Sequence, residues 1–241
     1  KFPSKEEQIV NVEMSKDQER VYKYLEDALP FHLKFKVRMN MPLDKKESAS
    51  LNAFSTGIRQ ASNSVRPFSE KKPELTPKIR QATDHLHKMY SEDKNFRGVV
   101  YSNFLAGGLA DYSDELNSKN IPHTVYHGGL SSKEKDQAVE DYNSGKRPVL
   151  LVSSSGAEGL NLKGTKLIQT LEPHFNKSKI DQVVGRGIRY ESHEHLPAEE
   201  RKVLVQHYHS VFPPGLFGKS KDTSIDKYLY HHSANKDELS R

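Results

Sequence analysis

The chain has 241 residues, and 34% of them are hydrophobic, which suits one core with an appendage but leaves little room for two full domains. Lys and Arg number 37 against 32 Asp and Glu, so the formal net charge is +5, which favours nucleic acid over a membrane surface as the partner. The lack of cysteine excludes a disulfide framework, a thiolate zinc site and a cysteine nucleophile.

Targeting signals do not stand out in the sequence. No run approaches the roughly 18 apolar residues of a membrane-spanning helix, and the opening "KFPSKEEQIV" lacks the apolar centre of a signal peptide. We therefore expect a soluble, intracellular protein without a membrane partner. The first residue is Lys1 instead of methionine, which favours a fragment of a longer protein.

Residues 1–75 are predicted to form a mostly helical extension. Within "EMSKDQERVYKYLEDAL" one apolar stripe indicates a helix: Val21, Tyr22, Leu25 and Leu29. The stretch "LKFKVRM" is ambiguous, because it alternates as a strand would but no second strand follows to pair with it. Its cations form the best basic stripe of the chain and are candidates for contact with a phosphate backbone: Lys34, Lys36 and Arg38. The stretch "SEKKPELTP" reads as a connector.

Residues 76–241 are predicted to form an α/β domain. Thr76 followed by Pro77 starts a helix that runs to about residue 92. Apolar runs typical of buried parallel strands then alternate with helical patterns: "GVVYSNF", "HTVYHG", "PVLLVSS", "KLIQTLE" and "KVLVQHYHSV". One intervening helix has a capping box of Ser131 and Glu134 and a stop at Gly145. This alternation predicts a doubly wound parallel sheet flanked by helices.

A loop of small residues follows the most apolar strand, in "SSSGAEGLNL" (153–162). Ligands of doubly wound sheets lie beyond the carboxyl ends of the strands. Hydroxyls and unshielded backbone N–H groups there suit phosphate oxygens, and they come from Ser153, Ser154, Ser155, Gly156 and Gly159. The alternative is a turn of small residues selected for tight packing.

The stretch "DQVVGRGIRY" (181–190) carries the second candidate site. In a helix that starts near Asn176, spacings of four and three place Gln182, Arg186 and Arg189 roughly on one side. Two permanently charged guanidinium groups that converge suit the charge of a transferring phosphoryl group. The alternative is a surface helix whose arginines pair with Glu191 and Glu194.

Taken in order, these motifs resemble the second RecA-like lobe of superfamily-two helicases, and within them the SWI/SNF-type branch. "SSSGAEGLNL" is similar to motif V of that family, "QVVGRGIR" to motif VI and "GVVYSNF" to motif IV. "LEPHFN" and the closing "SIDKYLYHHSANKDEL" also resemble segments of the branch, and "PSKEEQIVNVEMSKDQERVY" resembles the segment that leaves the first lobe. Two differences predict a divergent branch: Glu158 replaces a small apolar residue, and "YESHEHLPAEERK" is inserted after motif VI.

The resemblance implies the C-terminal lobe of an ATP-dependent nucleic-acid helicase or translocase. It implies arginine fingers at Arg186 and Arg189, and nucleotide-binding positions at Gln182, Gly185, Glu158, Gly159 and Asn161. It implies contacts to the nucleic-acid backbone at Ser102, Asn103, Gly128, Ser153 and Ser154. The implied cofactors are ATP and Mg²⁺, held mainly by a first RecA-like lobe, and the implied partner is nucleic acid, in particular double-stranded DNA.

The phosphate-binding loop and the acidic magnesium motif of such motors are missing from this chain. "PPGLFGKS" departs from the required pattern and follows motif VI, and "SDEL" falls within a predicted helix, so neither replaces them. We therefore expect this chain alone to be inactive as an ATP hydrolase, as half of a composite site.

Other functional classes remain open. Histidines cluster in "HEH", "HYH" and "HH", but without cysteine we predict no metal site. A non-catalytic module of the same fold that binds nucleic acid or a protein would make Arg186 and Arg189 dispensable. Half of a sugar-nucleotide glycosyltransferase would share the sheet but would not account for the Gln-x-x-Gly-Arg-x-x-Arg spacing.

Overall fold

The structure is a computed structural model that describes residues 4–154, 160–187, 197, 202–215 and 222–239. Within these ranges, six parallel strands form one sheet in the order β1-β6-β5-β2-β4-β3. The strands are β1 Ser4–Glu13, β2 Gly98–Ser102, β3 His123–Tyr126, β4 Val149–Ser153, β5 Leu167–Thr170 and β6 Lys202–Val211. The predicted doubly wound parallel sheet is confirmed.

Helices cover both faces of the sheet and build the N-terminal region. They are α1 Lys16–Glu26, α2 Phe31–Arg38, α3 Lys45–Phe54, α4 Thr56–Ala61, α5 Pro77–Glu92, α6 Ala110–Ser118, α7 Ser132–Ser144, α8 Lys177–Gly187 and α9 Ile225–Leu239. A short 3₁₀ turn spans Arg66–Phe68, and an irregular helical turn, Leu105–Leu109, follows β2. The "SDEL" stretch lies in α6, as predicted.

Alternating side chains of the central strands pack into two hydrophobic cores, one on each face of the sheet. On β2, Val100 packs into the core beneath α5 and α6, with Ile79 and Leu116. Val99 packs into the opposite core beneath α7 and α8, with Tyr142 and Val184. Every residue of β2, β4 and β5 is buried, which is why these strands read as continuous apolar runs.

Local signals place the helix ends where the sequence predicts them. The Thr76 hydroxyl accepts a hydrogen bond from the Ile79 amide at the start of α5. The capping box of α7 is complete, since Ser131 and Glu134 exchange backbone and side-chain hydrogen bonds at 3.1 and 3.2 Å. Gly145 ends α7 with a φ of 82°, a left-handed conformation that glycine adopts without steric cost.

The first strand belongs to the sheet, although the sequence assigns residues 1–75 to the extension. β1 pairs with β6 over its full length, from Ser4 opposite Lys202 to Glu13 opposite Val211. Its side chains are mostly exposed because it is an edge strand, so the sequence lacks the buried pattern that marks the other strands. The helical character of the remaining extension is confirmed, and a domain boundary near residue 75 stays a prediction.

The ambiguous stretch "LKFKVRM" lies in helix α2, and the strand alternative is wrong. Its apolar residues at a spacing of four, Leu33 and Val37, are the ones that become buried. Each of its three cations lies in an ion pair: Lys34 with Asp27 (3.0 Å), Lys36 with Glu47 (2.7 Å) and Arg38 with Glu26 (2.6 Å). The basic stripe is therefore not a row of free cations along a strand.

Candidate functional site

The carboxyl edge of the sheet gathers the residues predicted to contact nucleic acid. Ser102 ends β2, Ser153 ends β4, and the two are register partners on adjacent strands. Asn103 and Ser154 follow them directly, and exposed Gly128 comes two residues after β3. The side chains of Ser102 and Ser153 are buried, so of these five residues only Asn103, Ser154 and Gly128 reach the surface.

A buried carboxylate organises this edge. Glu172, two residues after β5, accepts hydrogen bonds from the Ser102 hydroxyl at 3.0 Å and the Asn103 amide at 2.5 Å. It also accepts one from the Asn63 carboxamide at 2.7 Å. Burial raises the pKa of Glu172, and the hydrogen bonds and nearby cations oppose that shift. The carboxylate thus holds the ends of β2 and β5 in one fixed arrangement.

A buried ion pair lies next to the same carboxyl edge of the sheet. The Lys78 ammonium group, fully buried, donates to Asp226 at 2.7 Å, to the Leu171 carbonyl at 2.6 Å and to the Asn63 carboxamide at 2.9 Å. Asp226 also accepts a hydrogen bond from the Ser210 amide at 2.8 Å. One side chain therefore ties the start of α5 to the start of α9 and to the carboxyl end of β5.

Helix α8 carries the candidate nucleotide-binding positions. Its apolar side, with Ile180, Val183 and Val184, packs into the core. Gln182 and Gly185 are exposed on the other side, and a Cβ atom at Gly185 would meet nothing within 4 Å, so this side has room for a ligand. The backbone of Arg186 is the penultimate position of α8. The Arg186 side chain, Arg189, Glu158 and Gly159 lie outside the described part of the chain.

Asn161 lies on the same side of the sheet as α8. Its neighbours Leu160 and Leu162 are buried in the core that also contains the apolar side of α8. The exposed Asn161 accepts a hydrogen bond at its carbonyl from Asn143, near the end of α7. The structure thus separates the predicted site into two parts, a strand-end part with Ser102 and Asn103 and a helix-side part with Gln182 and Asn161.

Residues 78–191 match the family model described as the helicase conserved C-terminal domain. This chain carries a helicase C-terminal domain. The matched range begins in α5 and includes both parts of the candidate site.

Two similar proteins are viral and longer than this chain. A protein of Acanthamoeba polyphaga mimivirus, named as a candidate ATP-dependent RNA helicase, is 35% identical over 246 residues, which cover 99% of this chain and 51% of the relative. A termination factor NPH-I homolog of African swine fever virus is 32% identical over 157 residues, 61% of this chain and 22% of the relative. The chain thus spans about half, or less, of the length of these relatives.

Solved structures share the fold of the helicase C-terminal domain. The C-terminal part of the Fun30 ATPase domain aligns with a TM-score of 0.68 at 13% identity, over 96% of this chain and 90% of that one. The Sulfolobus solfataricus SWI2/SNF2 ATPase core, solved in complex with double-stranded DNA, aligns with a TM-score of 0.62 at 16% identity, over 87% and 42%. The predicted resemblance to a RecA-like second lobe of SWI/SNF type is thus confirmed at the level of the fold.

Other kinds of site are absent from the described residues. No described helix is long and apolar enough to cross a membrane. Within the same ranges, no three or more His, Asp or Glu side chains are grouped as a metal would require. The histidine cluster "HEH" and most of "PPGLFGKS" lie outside the described residues.

The sequence did not identify the groups that shape the strand-end part of the site. Glu172, Asn63 and Lys78 meet there from positions up to 109 residues apart. A detectable signal existed only for Glu172, an acidic residue that comes directly after an apolar strand run in "KLIQTLE".

Proposed function

We propose that this chain is the second lobe of an ATP-dependent helicase or translocase that moves along nucleic acid. The observation that carries the proposal is the convergence of Asn103, Ser154 and Gly128 at one sheet edge, with α8 starting beside that edge after β5. In doubly wound folds this edge is where ligands bind. The matching domain model and the ATP-dependent helicase relative support the same assignment.

Each part of the site has its own role in this proposal. Asn103, Ser154 and Gly128 contact backbone phosphates, while buried Ser102 and Ser153 hold the strand ends in register. Contacts of this kind are insensitive to base sequence. The SWI2/SNF2 neighbour solved with double-stranded DNA favours duplex DNA as the partner.

The helix-side part would bind ATP, which supplies the phosphoryl group whose transfer drives the motor. Arg186 and Arg189 would stabilise the negative charge of that group, and Gln182, Gly185, Glu158, Gly159 and Asn161 would line the same cleft. Mg²⁺ would be held mainly by a preceding RecA-like lobe. Opening and closing of the two lobes around the nucleotide would move the nucleic acid stepwise.

The test joins this chain to the region that precedes it in its gene and measures duplex-stimulated ATP hydrolysis. We expect Arg186→Ala or Arg189→Ala to lower kcat by about 10³-fold or more, while the affinity for duplex DNA stays within about twofold. Lys177→Ala is the matched control, because position 177 lies two and a half turns before position 186, on the opposite side of α8.

Turnover that survives both arginine substitutions would reject the motor role. The chain would then be a non-catalytic module that binds nucleic acid or a protein. The same assay with duplex RNA in place of duplex DNA distinguishes the two partners, since the mimivirus relative is named for RNA.

A further inference from the structure

Arg59 of α4 occupies an unusual position at the strand-end part of the site. Its side chain is buried, with the residue only 8% exposed, and its guanidinium carbon lies 5.3 Å from the Phe104 ring centroid and 4.7 Å from that of Phe175. Phe104 follows β2, and Phe175 precedes α8. The guanidinium group is therefore held between the two segments that leave the carboxyl edge.

The side-chain hydrogen-bond donors of Arg59 have no acceptor in the part of the chain that the structure describes. Its Nε and Nη2 atoms are buried without an acceptor among the described residues, and the carboxamide nitrogen of Asn103 is in the same state. Glu172 is near enough to attract Arg59 electrostatically, but its oxygens already accept from Ser102, Asn103 and Asn63. Nη1 forms no hydrogen bond with the described residues and is less enclosed than Nε and Nη2.

Burial lowers the pKa of Arg59, and the charges of Glu172 and Asp226 oppose that shift without accepting a hydrogen bond from its side chain. The neighbouring His174 stays neutral near pH 7, because burial, and then the charge of Arg59, lower its pKa to about 4. Two aromatic rings offset part of the desolvation of the guanidinium group, but they accept no conventional hydrogen bond. Most buried donors in native proteins have a hydrogen-bond partner, so an acceptor supplied by a ligand would complete the arrangement.

We propose that Arg59 binds a backbone phosphodiester of the nucleic acid, next to Asn103. The inference rests on the proposed function and adds to it a contact from a residue outside the segments that resemble motifs IV, V and VI. A phosphodiester offers negative charge and several acceptor oxygens, which match the planar fork of a guanidinium group and the adjacent carboxamide donor.

The experiment measures the affinity of this chain for a short fluorescein-labelled DNA duplex between about 50 and 200 mM salt, where each neutralised phosphate contributes a slope of about −0.9 to log Kobs against log salt. Arg59→Met removes the charge and keeps the length of the side chain. Arg59→Lys keeps the positive charge and loses the planar arrangement of guanidinium donors. Arg66→Met is the matched control, because Arg66 is already paired with Asp114 at 2.7 Å.

We expect Arg59→Met to reduce the magnitude of the slope by about 0.9 and to weaken binding about tenfold at the lower salt. Arg59→Lys retains the slope with a smaller loss of affinity, and Arg66→Met matches the unsubstituted chain. Urea unfolding of each variant runs in parallel. If Arg59→Met does not unfold cooperatively, Arg59→Gln replaces it as the uncharged variant.

Each contrary outcome has a distinct meaning. An unchanged slope in folded Arg59→Met, or an equal reduction in Arg66→Met, overturns the Arg59 contact and leaves the proposed function standing. A loss confined to the binding of free ATP assigns the phosphate to a nucleotide and also overturns it. Failure of the unsubstituted chain to bind the duplex rejects the nucleic-acid track together with the Arg59 contact.

Discussion

Replacement of Lys78 by Met tests whether the buried ion pair stabilises the carboxyl edge. Lys78 and Asp226 are 0% and 1% exposed, so the Lys78→Met variant leaves Asp226 as a buried charge with one remaining hydrogen bond from the described residues, that of the Ser210 amide. Removal of one member of a buried pair costs about 3–5 kcal/mol. The lost hydrogen bonds to Leu171 and Asn63 are part of that range, so we expect a loss of about 4 kcal/mol.

Urea unfolding followed by circular dichroism measures this loss. We expect the urea concentration at the unfolding midpoint to fall, while the slope of the unfolding free energy against urea concentration stays the same. This combination indicates a change in stability without a change in the surface exposed on unfolding. The control is Lys88→Met, an exposed position on the same helix, which should stay within about 0.5 kcal/mol of the unsubstituted chain.

A double variant separates the ion pair from the packing of the lysine side chain. Lys78→Met combined with Asp226→Asn removes the stranded charge, so we expect it to be less destabilised than the sum of the two single variants. A loss below about 1 kcal/mol for Lys78→Met, or strict additivity in the double variant, would refute the reasoning.

Two further predictions concern a histidine and two glycines. Burial lowers the pKa of His209 from its ordinary 6.5 to about 2, so the unfolded chain binds this proton more tightly and stability should fall as the pH drops below about 6.5. The expected loss of unfolding free energy is about 2 kcal/mol at pH 5. Urea unfolding at pH 7.5 and pH 5 measures it, and we expect a smaller loss in His209→Asn than in the unsubstituted chain. The same pH dependence in both proteins would contradict the prediction. A Cβ atom at Gly108 would lie 2.5 Å from the Ser102 hydroxyl, whereas one at exposed Gly185 meets open space. Gly108→Ala should therefore lower the unfolding free energy by about 1–3 kcal/mol and Gly185→Ala should raise it by up to about 1 kcal/mol; thermal unfolding that gives both the same sign rejects this contrast.

The sequence predicted the elements whose signals are local. The buried strands have continuous apolar runs, and the starts of α5 and α7 have side-chain caps within three residues. A few consecutive residues are therefore enough to predict these strands and helix starts. β1 has no such signal because its side chains face solvent at an edge. In α2 the apolar and basic residues alternate, and the helix is fixed by which of them become buried in the folded chain.

The candidate site was predicted only in part, for a related reason. The motifs selected Asn103 and Gln182, which the structure leaves half-buried and exposed, and their roles stay predictions. The aromatic rings beside Arg59 and the hydrogen-bond donors to Glu172 come together through the packing of distant segments, which a single sequence does not reveal. The roles of Arg186, Arg189, Glu158 and Gly159 stay predictions.

The pairing of β1 with β6 has a consequence for the way the chain folds. Gln8 and Gln206 contact each other across 198 residues, so during synthesis β1 waits until those residues have been added before its partner strand exists. At about 5–20 residues per second this delay lasts roughly 10–40 s, and such distant pairings are slow to form in any case. During this interval β1 has an unpaired edge. Its charged and polar side chains discourage pairing with a strand of another chain, and they include Lys5, Glu6, Glu7 and Gln8.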